Sequence, residues 1–249
     1  IVVVRVGDGA NALGANGNAV FLDEYPAHQG ASPVQSIALP TVASGPNNAF
    51  FLDASQVAEG LPTLSVTGDC ITLIGYNSTA TNLRTTPSLT VSRVIARIDA
   101  AGNVDTRTMI NDVASGTSPV TAVSYDGTQA WVAGANGGVR YASVGSVGGS
   151  SLISDTMTSI RKINIVDFPV RRLLASGAAL AFRFATVGLV LLASEPFPTL
   201  PFRFTPNPPY DFYFADLDDD VSGSDTVYVT DDANNRVVKY SYDGTTFTQ

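Results

Sequence analysis

The stretch Thr128-Gln129-Ala130-Trp131-Val132-Ala133-Gly134, continued by Ala135-Asn136-Gly137-Gly138 and then Val139-Arg140-Tyr141, reads as a polar turn, an aromatic strand, an Asn-containing turn and a second strand ending in a basic residue and Tyr. The same phrase returns as Thr226-Val227-Tyr228-Val229-Thr230-Asp231, Asp232-Ala233-Asn234-Asn235 and Val237-Val238-Lys239-Tyr240. Trp131 and Tyr228 are 97 positions apart, a distance that two units of about 48 residues explain.

Working outward, strand, turn and strand recur at Val2 to Val6 with Val20 to Tyr25, at Leu61 to Val66 with Cys70 to Tyr76, and at Ile163 to Asp167 with Val170 to Ala175. The corresponding turns fall near Gly17, Gly68, Gly127, Phe168 and Ser224. In the second unit Arg93 to Asp99 and Val104 to Ile110 flank a further turn, Ala100-Ala101-Gly102-Asn103, so each unit has room for four strands. Four antiparallel strands in about 40 to 50 residues, without helices between them, is the arithmetic of a β-propeller blade. The sequence therefore predicts an all-β fold, a β-propeller forming a single domain over residues 1–249 with five blades visible. Because the first unit begins in mid-strand and the last stops at Thr248-Gln249 in mid-phrase, the expectation is a fragment of a six- or seven-bladed ring, or a ring completed by another chain. A β-sandwich or jelly roll is the alternative, and it predicts no regular period. The repeat register places Val20, Ile74, Val132 and Val229 at equivalent buried positions, and Trp131 with Tyr228 likewise.

Composition agrees with strands. Nineteen Asp stand against three Glu and twelve Arg against two Lys, so straight-chain helix formers are scarce while turn formers, with 22 Gly and 14 Pro, are abundant. Charged residues make up 14% of the chain and hydrophobic ones 45%, against roughly 25% charged in an ordinary domain. The formal charge of -8 opposes attraction to phosphate backbones and anionic lipid, which excludes nucleic acid as an expected partner. Leu173 to Ser194 has the length of a membrane span, but Arg183, Gly177 and Gly188 cut it into strand-sized pieces. No membrane span is expected.

One His and one Cys exclude most metal cages and Ser-His or Cys-His nucleophile systems. His28 sits in a loop signature, and Cys70 at the head of Cys70-Ile71-Thr72-Leu73-Ile74 reads as a small buried hydrophobe. Asp23-Glu24 closes an apolar strand, where acids either line a channel mouth or face solvent. Among nineteen Asp, nothing singles out a catalytic pair.

Three other features suggest sites. The run Asp216-Leu217-Asp218-Asp219-Asp220-Val221-Ser222-Gly223-Ser224-Asp225 offers alternating carboxylates that converge on a hard cation, or form a solvated acidic turn. The first reading gives Asp216, Asp218, Asp220 and Asp225 as Ca²⁺ ligands. The run resembles the calcium loops of integrin-type propellers, departing from them in its last acid, one residue late, and in lacking a Gly after the third acid. Between Glu195 and Tyr210, six prolines and four aromatics, Phe197, Phe202, Phe204 and Tyr210, form a stiff extended loop. Those aromatics are contact anchors or a cover over a sheet edge. A sequon at Asn77-Ser78-Thr79 marks Asn77 for glycosylation in an exported chain.

Val4-Arg5-Val6-Gly7-Asp8-Gly9 with Ala19 to Tyr25 and Gln35 to Pro40, Val132-Ala133-Gly134 with Asn136 to Tyr141, and Phe214 to Asp218 with Asp225 to Val229 resemble a family of uncharacterised exported β-propeller repeat proteins. The resemblance fails between about Val170 and Pro209. It implies a secreted propeller and transfers no catalytic residue. Together these readings predict a non-catalytic extracellular structural or interaction module of a surface layer, matrix or filament. Its expected partners are further copies of itself, another extracellular protein, or glycan. The competing expectation is a secreted Ca²⁺-dependent propeller hydrolase acting on a polysaccharide or ester.

Overall fold

A computed structural model of the chain describes residues 1–155 except 29, 31 and 57, together with 159–168, 170–177, 183–186, 212–215, 225–231, 235–242 and 247–248. These residues form five sheets, and consecutive strands are neighbours almost throughout. The first sheet comprises β1 (Val2–Val6), β2 (Val20–Glu24) and β3 (Gln35–Ala38). The second runs β4 (Thr63–Leu64), β5 (Cys70–Tyr76), β6 (Arg93–Asp99) and β7 (Val104–Ile110). The third joins β8 (Pro119–Val123), β9 (Gln129–Gly134), β10 (Val139–Ser143) and β12 (Ser151–Ser154), while the short β11 (Val147–Gly148) leaves to join the second. The fourth sheet has β13 (Ile160–Phe168), β14 (Val170–Gly177) and β15 (Arg183–Thr186). The fifth has β16 (Phe212–Ala215), β17 (Asp225–Asp231), β18 (Arg236–Tyr242) and β19 (Phe247–Thr248). Apart from β11, every pairing between these strands is antiparallel. Among the described residues the only helix is a single 3-10 turn at Leu83–Thr85.

The first four sheets stack in sequence order, and the period-2 alternation of their strands explains how. In β5 and β6, Leu73, Val94, Ala96 and Ile98 meet Val20 and Leu22 of the first sheet. Their neighbours Ile74 and Ile95 point the other way, onto Ala122, Ala130 and Val132 of the third. The third repeats the arrangement: Trp131, Ala133 and Val139 turn from the second sheet toward Ile160, Ile163 and Ile165 of β13. Strands of this kind are apolar at nearly every position because each face has its own partner. Val20, Ile74, Val132 and Val229 are all fully buried. Trp131 is also buried, edge-on to Tyr141 at 5.4 Å, whereas Tyr228 is 39% exposed. The fourth sheet covers Trp131, and no described sheet covers Tyr228.

The repeat reaches individual residues. Ser65, Gly68 and Gly75 each lie 59 positions before Ser124, Gly127 and Gly134. In both turns the serine hydroxyl ties the loop, accepting from Cys70 N–H in one and from Gly127 N–H in the other. Gly127 has φ +83°, a left-handed backbone that most side chains resist. Gly75 and Gly134 close their strands where another backbone crosses: a Cβ would lie 2.6 Å from Phe51 O and from Ser118 O respectively. The expected strand Leu61 to Val66 is shorter, Thr63–Leu64, because Leu61 instead makes a parallel bridge to Thr121 of β8. That bridge sets the opening segments of the second and third sheets side by side. Leu173 to Ser194 contributes the end of β14 and all of β15, and no helix among the described residues is long and apolar enough to cross a membrane.

Candidate functional site

Among the described residues, a buried polar cluster lies where β5 ends. Tyr76 and Arg93 are cross-strand partners on the face toward the third sheet, and both are fully buried. The Arg93 guanidinium lies over the Tyr76 ring, 4.7 Å from its centre, and donates to the carbonyls of Val91, Ala114 and Thr86. Tyr76 Oη donates to Glu59 Oε1 at 2.7 Å, and the backbone N–H of Asp53 donates to Glu59 Oε2 at 3.2 Å. Asp53, itself buried, turns its carboxylate back onto Ser55, accepting from the backbone N–H at 2.9 Å and the hydroxyl at 2.6 Å.

Burial governs the protonation of this cluster. Desolvation pushes the Glu59 carboxyl up to about 7, against the opposing pull of the Tyr76 and Ser118 hydrogen bonds. Desolvation and then the neighbouring Glu59 charge raise the Tyr76 phenol, and desolvation lowers Arg93. A carboxyl balanced near neutrality, hydrogen-bonded to a phenol and beside a second carboxylate, has the chemistry of a proton donor or acceptor. Sequence reading did not find it. The available signal was Glu59 itself, one of three Glu in the chain, followed by Gly60-Leu61-Pro62.

A second arrangement occupies the far face of the first sheet. Arg5 Nε contacts Asp23 Oδ2 at 2.6 Å, its guanidinium lies 4.1 Å from the centre of the Phe21 ring, and Ser36 Oγ donates to Asp23 Oδ1 at 2.6 Å. The Arg5 bond, then Ser36, holds the Asp23 carboxyl below the usual carboxylate range. Of the Asp23-Glu24 pair, Asp23 is therefore buried in an ion pair and Glu24 is exposed.

The residues expected from sequence separate as follows. Asp216, Asp218 and Asp220 lie outside the described residues, and Asp225 opens β17 opposite Tyr242. Phe197, Phe202, Phe204 and Tyr210 also lie outside them. Among the described residues, no three His, Cys, Asp or Glu side chains form a group able to hold a metal ion. Asn77 follows β5 half-buried, with its amide Nδ2 3.1 Å from Met109 Sδ. A glycan on that nitrogen requires the side chain to leave Met109. His28 is exposed in a bend, and Cys70 is buried with a free thiol. No family model matches the chain, and neither a curated protein nor a solved structure matches it.

Proposed function

We propose that this chain is a non-catalytic extracellular structural or interaction module built as a run of β-propeller blades, a subunit of a surface layer, matrix or filament. The observation that carries the reading is the ordered stacking, in which alternate residues of one strand serve two successive sheets. The parallel bridge between Leu61 and Thr121 supports it, because first strands of consecutive blades run side by side around a common axis. The buried polar groups around Arg93 are largely tied to backbone carbonyls, which suits a rigid scaffold. Calcium at Asp216, Asp218, Asp220 and Asp225, contacts through Phe197, Phe202, Phe204 and Tyr210, and a glycan at Asn77 belong to the same proposal. Electron microscopy of a native preparation tests it: a regular polymer or layer is expected, and a dispersed protein that turns over substrate overturns it.

One observation favours a second reading, a propeller hydrolase acting on a polysaccharide or ester. Glu59, poised near neutrality beside Asp53, has the protonation of a general acid. Turnover abolished by Glu59→Gln would select this reading, and a wild-type protein inactive on both substrate classes would remove it.

A further inference from the structure

We propose that the Asn16-Gly17 step, in the loop before β2, is a spontaneous modification site at which the folded chain selectively loses the Asn16 amide and acquires an isoaspartyl linkage. The sequence contains two Asn-Gly steps, Asn16-Gly17 and Asn136-Gly137. Glycine has no Cβ to shield its nitrogen, so in an unfolded chain both steps are open to attack on the preceding side-chain amide. The fold treats them differently. Asn136 is half-buried between β9 and β10, its Nδ2 donates to Ser115 O at 2.8 Å, and its own carbonyl accepts from Ala114 N–H at 3.2 Å. That carboxamide is pinned to the segment before β8 and must break away before it can turn toward Gly137. Asn16 is exposed, and its Oδ1 lies beside Gly14, where a Cβ would be 3.0 Å away. Among the described residues neither the Asn16 carboxamide nor the Gly17 N–H makes a hydrogen bond. Nucleophile and target are both without competing partners.

The reaction balances with water as its only co-reactant. Hydroxide takes the Gly17 amide proton, the nitrogen attacks Asn16 Cγ, and the Cγ–Nδ2 bond breaks, the departing nitrogen leaving as ammonia with a proton from water. Water then opens the succinimide at either carbonyl, giving aspartate or isoaspartate. In the isoaspartyl product the main chain runs through Cβ and Cγ and is longer by a methylene. Gly17 has no slack to absorb it, since a Cβ there would lie 2.3 Å from Ser78 O and 2.8 Å from Thr79 Cα. The buried Asn18 amide donates to Gly14 O at 3.0 Å, to Asn16 O at 2.6 Å and to Leu52 O at 3.1 Å, so a displaced Asn16 carbonyl breaks this clamp. Asn18 also exchanges backbone hydrogen bonds with Leu52, a buried member of the core between the first and second sheets. The modification therefore loosens that junction.

Incubating the full chain at mildly alkaline pH and mapping its peptides by mass spectrometry tests the assignment. In the folded chain Asn16 should lose its amide about fivefold faster than Asn136, the slowing expected from one hydrogen bond that must break. In denaturant the two rates should converge. Enzymatic methylation of isoaspartate should label the Asn16 peptide, and Asn16→Gln, whose longer side chain closes the ring far more slowly, should remove that label. Hydrogen exchange at Asn18 and Leu52 should quicken in proportion to the isoaspartate formed. Asn136 reacting as fast as Asn16 in the folded chain, or Asn16 staying intact while the denatured chain converts at both steps, overturns the assignment. Exchange at Asn18 and Leu52 that is unchanged by isoaspartate overturns its structural consequence.

Discussion

Arg93 in the second sheet and Arg5 in the first show two ways of accommodating a guanidinium on a β-sheet. Arg93 lies between two sheets, and backbone carbonyls with the Tyr76 ring take the place of water. Arg5 lies on a sheet with one face open, stays partly exposed and pairs directly with Asp23. Both lie over an aromatic ring, so the difference comes from the covering sheet. A charge sealed between sheets needs several neutral acceptors already in place, while a charge on an open face is served by one ionic partner and solvent. The second sheet should therefore be costly to alter and the first sheet's open side tolerant.

The largest expected effect breaks the covered side. Ile74→Ala empties a fully buried site between the second and third sheets, with an expected loss of about 2–5 kcal/mol in denaturant unfolding. A loss no greater than at an exposed position would mean that the two sheets do not pack as described.

Next is the pH response of the sealed cluster. Glu59 titrates near 7 when folded and near its ordinary value of 4.5 when unfolded. The folded state then holds the proton more tightly, so this contribution is fully present below pH 4.5 and is lost as pH rises through about 7. It amounts to about 3 kcal/mol. Unfolding at a series of pH values should show stability falling across that window, and Glu59→Gln, which can still accept from Tyr76, should flatten the curve.

A smaller effect is expected at the clasp between the second and third sheets. Asp112 accepts from Arg140 Nη1 at 2.8 Å and from the Ser150 backbone and hydroxyl at 2.7 Å each. Asp112→Ala should cost about 1–2 kcal/mol by removing the acceptor of Arg140 Nη1 and of both Ser150 donors, while Arg140 Nε keeps the Gly137 carbonyl. Hydrogen exchange should quicken first around β11 and β12. Smallest of all, Val3→Ala on the open side should change monomer stability by no more than about 0.5 kcal/mol.

Most of the strand pattern was legible because alternation, Gly turns and Asp turns are local. Cys70 to Tyr76, Arg93 to Asp99 and Val104 to Ile110 coincide with β5, β6 and β7. Val20, Ile74, Val132 and Val229 are all buried as expected, but they are not equivalent: the 59-residue offset matches Val132 with Leu73, and Val20 and Ile74 face the following sheet whereas Val132 faces the preceding one, because a strand covered on both faces buries either parity. The Glu59 cluster was not legible. Tyr76, Arg93 and Glu59 are brought together by strand pairing and by the loop from Asp53, with no spacing that announces the contact. The departure of β11 to the second sheet was equally hidden, because Val147-Gly148 is too short for a periodic signal. Tyr228 was read as the equal of Trp131, but exposure depends on the next sheet, which the repeat does not encode.

The parallel pairing of Val147 and Gly148 with Met109 and Ile110 sets an order in time. During synthesis the Met109–Ile110 end of the second sheet's outer edge waits until 38 further residues have emerged, whereas its Val104–Thr106 end already has Asn47 and Asn48 as hydrogen-bond partners. An unprotected strand edge invites pairing with other nascent chains. The waiting strand β7 carries Asp105 and Arg107, paired to each other at 3.0 Å. Charge on an edge strand disfavours pairing with other chains, so neutralising Asp105 and Arg107 together should show first as a lower yield of soluble protein.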